Sequence, residues 1–210
     1  MRIPITADAE TFAAAVDLGR TVIWLHSFGE RFADASQRRP AQPPRLPKGL
    51  APRIPADGAI SQAPGAMPDL VTYDATTRRI MVGSGFVERV TPRIWEYEVS
   101  GKQVLRQWFS YRKANRDRPI IGDRRPPSKL REIQPDHWIA EYTSELLNVL
   151  NVLGRLIELE PSQAVLLDRI RAGPTISVEE LREAGALAKP GVSGRRGGIE
   201  GPDEQPSLFD

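Results

Sequence analysis

The 210-residue sequence predicts an α+β domain with an N-terminal helix, a small, mostly antiparallel sheet, C-terminal helices and a disordered tail. Three observations carry that prediction. Short runs rich in Val, Ile, Tyr, Phe and Trp are confined to residues 69–99, with turn residues between them. Apolar residues at helical spacing stand on both sides of that block. After residue 187 the chain is Gly/Pro-rich and charged, and such a composition buries too little surface to order itself. Residues 1–187 are therefore expected to form one domain and 188–210 a flexible tail.

The first helix is predicted over residues 8 to about 32. Asp8 is its N-cap, because a carboxylate there accepts from free N–H groups of the first turn. Phe12, Val16, Ile23 and Phe28 give it an apolar face, with Gly19 as a weak point or close-packing site. A Pro-rich loop follows over 36–68, with prolines at 40, 43, 44, 47, 52 and 55 that prevent a persistent helix or inner strand. Loops of that length inside a domain are often functional. Four strands are expected in DLVTYD, RRIMVGS, GFVERVT and RIWEYEVS. ATTR suits a hairpin loop and Gly83-Ser84-Gly85 a tight turn. In the fourth run Trp95, Tyr97 and Val99 alternate with Glu96 and Glu98, which predicts one buried and one wet face. Gly101 breaks the strand, and KQVLRQWFSYRKA has helical spacing. Residues 115–132 read as irregular. From 136 a helix is expected with Leu146, Leu150, Leu153 and Ile157 on its buried face. Pro161 suits the first position of a further helix that Gly173-Pro174 closes, and the capping box Ser177-Val-Glu-Glu180 starts a last one ending near Leu187.

Composition excludes several classes. With no cysteine there are no disulfides and no thiolate metal sites, a composition that fits a reducing, cytoplasmic setting. No signal peptide is visible, and the greasiest stretch, LLNVLNVLGRLIEL, is too short and too polar to span a bilayer. A GxxxxGK[ST] phosphate loop and a GxSxG elbow are both missing. His26, among Trp24, Leu25 and Phe28, is expected to be half-buried and hydrogen-bonded, and His137 to cap a helix or face solvent. No catalytic residue, metal site or cofactor is assigned.

The positive signal is charge. Net charge is only +2, but ten basic residues lie between Lys102 and Arg131, opposed by Asp117 and Asp123 alone. Such asymmetry favours an anionic partner, and the guanidinium fork matches both phosphate and the guanine edge. The candidate DNA-binding residues are Arg106, Arg112, Lys113, Arg116, Arg118, Arg124, Arg125 and Lys129. Arg38, Arg39 and Arg45 on the Pro-rich loop form a second rank. A solvated basic surface is the competing reading, with some arginines paired to Glu88, Glu96, Glu98 or Glu132. Trp95, Tyr97, Trp108 and Tyr111 read as platform core rather than base-stacking residues.

The runs RIPITADAETFAAAVDLGRTVIWLHSFGERF and RIMVGSGFVERVTPRIWEYEVSGKQVLRQWFSYR resemble the C-terminal specificity domain of type ISP restriction–modification enzymes. The later run IQPDHWIAEYTSELLNVLNVLGRLIELEP is similar to it too, so the resemblance covers about residues 1–187, with WEYEVSGKQVLRQWFSYR its most specific block. It implies target recognition on double-stranded DNA, on behalf of a methyltransferase, translocase and nuclease. The methyltransferase tetrapeptide [ND]PP[YF] is nowhere in the chain, which by itself is expected not to transfer methyl groups. The partners expected are thus DNA and a methyltransferase/translocase domain or chain, with no membrane. Gln205, Leu208 and Phe209 in the tail resemble the peptide with which bacterial DNA enzymes dock on the sliding clamp. The alternative function is a protein-interaction module that touches DNA weakly or not at all. A third is a methyltransferase fragment that needs a second chain.

Overall fold

In the computed structural model the residues described are 4–114 and 135–186. They form the expected α+β arrangement: a three-stranded antiparallel meander, a two-stranded hairpin and five helices. Helix α1 (Ala9–His26) opens on Asp8, whose side chain accepts from the Glu10 N–H and the Thr11 hydroxyl. Those bonds, the Thr11 hydroxyl first, hold the Asp8 carboxyl below the usual carboxylate range. The helix ends earlier than the sequence suggests, and its apolar stripe differs from the one expected. Phe12, Ile23 and Phe28 are exposed. The face with two buried residues carries Thr11, Ala15, Leu18, Val22 and Leu25, also at helical spacing. Two apolar stripes compete on this helix, and the one with the smaller side chains packs inward. His26 is exposed at the last helical position instead of half-buried.

Strands β1 (Val71–Asp74), β2 (Arg79–Val82) and β3 (Gly85–Val87) pair in sequence order, with Tyr73 opposite Ile80 and Met81 opposite Phe86. The loops between them are the two expected, Ala75–Arg78 and Gly83-Ser84, where Gly83 takes a positive φ of 58°. Ile80, Val82 and Val87 are fully buried and meet Ile94, Leu105, Leu150 and Leu153 in one core.

The fourth expected strand is not one. Pro92–Trp95 is a short helix, α2: Thr91 caps it and Pro92 occupies its first turn, where a missing N–H costs nothing. The Trp-Tyr-Val alternation outweighed that local cap in the sequence reading. Only Glu98–Val99 (β4) is extended, paired with Lys102–Gln103 (β5) across a Ser100-Gly101 turn in which both residues have positive φ. Val99 is exposed. Helix α3 (Val104–Ser110) follows directly.

Helix α4 (Ala140–Ala172) has 33 residues and is about 50 Å long. Leu146, Leu150 and Leu153 are buried as expected, and Ile157 packs at the core edge. Pro161 lies inside this helix and does not begin another. Proline there removes one helical hydrogen bond, but α1 packs along residues on both sides of it, Leu159 before and Leu166 after, so tertiary contacts outweigh the local break. Gly173 caps the helix, and Ile5–Ala7 then pair with Pro174–Ile176. Helix α5 (Val178–Glu183) has the predicted capping box but is shorter than expected.

The Pro-rich segment is a packed strap and not a free loop. Its backbone N–H at Leu46 donates to the side-chain oxygen of Asn151 (2.8 Å), deep between strap and α4. The Asn151 amide donates in turn to the Leu147 carbonyl (2.7 Å), so both ends of a 2%-exposed side chain are satisfied. One turn on, a Cβ at Gly154 would sit 2.5 Å from Leu46 Cδ1. Trp24 Nε1 donates to the Pro40 carbonyl, and Arg53 pairs backbone-to-backbone with Glu88, so the strap bridges helix and sheet.

Asn151→Ala leaves the buried Leu46 N–H without a partner, a loss of roughly 1–3 kcal/mol. A thermal melt is expected to fall by several degrees; a midpoint equal to the parent's shows that the N–H finds another acceptor. Gly154→Ala, which in an open helix adds up to about 1 kcal/mol, is expected to destabilise here. Combining it with Leu46→Ala should give a loss smaller than the sum of the two. Additive losses would place the strain elsewhere.

Candidate nucleic-acid interface

The sequence places its strongest cationic run directly after α3, and the structure shows what holds the base of that run. Trp138, fully buried, packs its ring against Trp108 (6.2 Å between centroids), Phe109 (6.4 Å) and Tyr142 (5.5 Å), and its Nε1 donates to the Thr143 hydroxyl. Trp108 and Phe109 precede the run and Trp138 and Tyr142 follow it, so one aromatic box secures both ends. Ala114 adds a backbone bond to the Pro68 carbonyl.

Arg112 belongs to this box. Its guanidinium lies 4.1 Å from the Trp108 ring centre and 5.4 Å from that of Tyr142. It donates to Glu145 through Nε and Nη2 and to the Trp108 carbonyl through Nη1. These contacts give Arg112 a fastening role, tying α3 to α4. Lys113 is half-buried beside it. Arg106 is exposed on α3, its guanidinium 5.4 Å from the Trp95 ring, which itself stacks on Tyr73. Trp95 is buried and Tyr97 and Trp108 partly so, whereas Tyr111 is exposed, just past the end of α3 where no described element covers it. Arg116, Arg118, Arg124, Arg125 and Lys129 lie outside the described residues, as do Gln205, Leu208 and Phe209.

On the strap the three second-rank arginines separate. Arg39 is 4% exposed and donates to Asp17, Thr21 and the Phe32 carbonyl, so its guanidinium ties the strap to α1. Arg45 is exposed and donates to Asn148 (2.6 Å). Arg38 is exposed with a positive φ of 59°.

Sequence reading missed a second concentration of arginines. Arg78, Arg79, Arg89 and Arg93 come from the β1–β2 loop, β2, the segment leading into α2 and α2 itself, and they line one open cleft of about 710 Å³. Its floor is apolar, with Leu46 and Leu50 from the strap, Ile94 from α2 and Ile157 from α4. Glu88 and Glu158 are its acidic lining residues. Glu88 serves three guanidiniums at once: Arg53 at 2.6 Å, and Arg79 and Arg89 each at 3.9 Å. Arg93 pairs with Glu160 at 2.5 Å, and Arg155 with Glu158 at 2.6 Å. The signal was available, since residues 78–93 hold four arginines against one glutamate. It was hidden because those arginines interrupt apolar runs read as strands.

Among the described residues no cluster of His, Asp and Glu is arranged to hold a metal ion, and no helix is long and apolar enough to cross a membrane. His137 is bonded to its neighbour Asp136, and that contact is the main reason the Asp136 carboxyl is held low. Glu96 and Glu98 are both exposed.

No curated protein and no solved structure matches the chain. A family model, the type ISP C-terminal specificity domain, matches residues 1–149, which takes in α1, the strap, both sheets, the aromatic box and the first third of α4. The chain belongs to the type ISP C-terminal specificity domain family.

Proposed function

We propose that this chain reads a short double-stranded DNA sequence for a type ISP-like restriction–modification system, and directs adenine methylation and cleavage carried by other domains or chains. The observation that carries the reading is the family match over residues 1–149. A type ISP specificity domain has a target-recognition role in restriction–modification. The geometry supports it in two respects. Reading a base edge demands side chains held to within fractions of an ångström, and the aromatic box and the Arg112–Glu145 fork supply a rigid base for the cationic run. DNA binding also needs cations that are not spent on internal carboxylates, and Arg38 and Arg106 are exposed with no ion pair among the described residues. In this reading Arg112 and Arg39 support the surface, and the arginines from Arg116 to Arg125 are the leading candidates for base contact.

The test is selection from a random-sequence duplex pool at two salt concentrations. One short site should be enriched, and binding should fall with salt at a log–log slope of roughly −5 if about six phosphates are neutralised. Salt-sensitive binding without enrichment reduces the protein to a basic surface. No binding at low salt removes the reading altogether and leaves the protein-interaction alternative.

A further inference from the structure

We propose that the cleft between the β1–β2 loop, the strap and α4 seats the sugar–phosphate backbone of duplex DNA, with Arg78 as its principal phosphate contact and Arg89 beside it. The proposal rests on the DNA-reading function above and assigns it a second, positioning surface.

Four observations lead there. First, the cleft's cations exceed its anions. Four arginines line it, Arg78, Arg79, Arg89 and Arg93, against the two carboxylates Glu88 and Glu158, and Arg78 has no ion pair among the described residues. Two of the shared contacts, Arg79 and Arg89 to Glu88, are 3.9 Å long, beyond hydrogen-bonding distance. Those guanidiniums keep donor capacity for a further anion.

Second, Arg78 and Arg89 both hold left-handed backbone, with φ of 54° and 65°. A residue with a Cβ is disfavoured there by roughly 1–2 kcal/mol, and such strain gathers where a side chain must be aimed. Both positions are tied down: the Arg78 carbonyl accepts the Val90 N–H (3.0 Å), which fixes the backbone there, and Arg89 Nη1 donates to the Lys48 carbonyl of the strap (3.0 Å).

Third, the arginines come from separate segments and converge on one opening, as a surface tracking a polyanion requires, while Leu46, Leu50, Ile94 and Ile157 offer an apolar floor for deoxyribose. Fourth, Arg79 lies over the Phe86 ring at 4.0 Å, so a ring face as well as the long Glu88 contact steadies that wall. Phosphate contacts of this kind fix register on the duplex and carry no sequence information.

The experiment compares the parent with Arg78→Asn and with Arg89→Asn. Asparagine removes the charge yet tolerates left-handed backbone, and Glu88 keeps Arg53 at 2.6 Å when Arg89 is replaced. Affinity for the selected duplex and for a scrambled one is measured from 50 to 200 mM salt, with thermal melts to show that each variant is folded. Each variant should lose roughly tenfold on both duplexes alike, and its salt slope should become shallower by about one. Unchanged affinity and slope in the folded variants overturns the cleft as a DNA contact and leaves target recognition intact. A loss confined to the selected duplex overturns the phosphate assignment, because it marks a base contact. If the parent binds neither duplex, the DNA-reading function fails first and the cleft proposal with it.

Discussion

The amide of Asn151 sets where the proline-rich strap crosses the long helix, and much of the molecule is positioned by that crossing. A segment with so many prolines cannot fix itself through backbone ladders, because each proline removes a donor. Side chains must do it instead. Asn151 accepts the Leu46 N–H while its own amide is held by the Leu147 carbonyl, so the acceptor cannot swing away. Gly154 then leaves room for the Leu46 side chain where any Cβ would collide with it. A buried polar group is costly when unpaired and specific when fully paired. Here that specificity selects one register for the strap out of the many that a Pro-rich chain would allow.

The same crossing builds the arginine cleft. Leu46 and Gly154 line it, Lys48 two residues on supplies the carbonyl that holds Arg89, and Arg53 further along pairs with Glu88 by backbone and side chain. The strap is thus one wall of the cleft as well as a cover for the core. The β1–β2 loop is the opposite wall, and its placement follows from the Val90–Arg78 backbone bond. Sheet, strap and the segment leading into α2 meet at Glu88, whose single carboxylate organises three guanidiniums.

How much of this was legible in the sequence follows from the range of each interaction. Asp8, the Ala75–Arg78 loop, the Gly83-Ser84 turn and the Ser177–Glu180 box are set by neighbours a few residues away, and they were read correctly. The stripe on α1 was misread because Phe12 and Ile23 are larger than Thr11 and Ala15, and hydrophobic size was weighed over the closeness that α4 requires. Residues 93–95 read as strand because period-two alternation draws attention from the Thr91-Pro92 start signal. Pro161 reads as a helix start because the α1 residues that pack along its neighbours Leu159 and Leu166 are about 140 residues distant in sequence. The role of Asn151 and the convergence of Arg78, Arg89 and Arg93 depend on contacts between distant segments, which no local pattern encodes.

The arginines of this domain fall into two physical kinds, and the difference bears on how salt acts. Arg39 is buried against Asp17, Thr21 and a carbonyl, and Arg112 lies over the Trp108 ring and donates through two nitrogens to one oxygen of Glu145. Neither guanidinium is held by charge alone: the Phe32 carbonyl and the Thr21 hydroxyl grip Arg39, and the Trp108 ring and carbonyl grip Arg112. Arg78, Arg79, Arg89 and Arg106 face an open cleft or solvent, and their carboxylate contacts are long or lacking among the described residues. Such charges are screened within roughly 10 Å at 0.1 M salt. The scaffold and the surface it presents are therefore decoupled: salt that strips counter-charge interactions from the cleft leaves the fastening arginines in place. A DNA-reading module needs that separation. Its grip on phosphate must be weak and reversible enough to let the protein move along the duplex, while the platform that carries the base-reading side chains keeps one shape throughout.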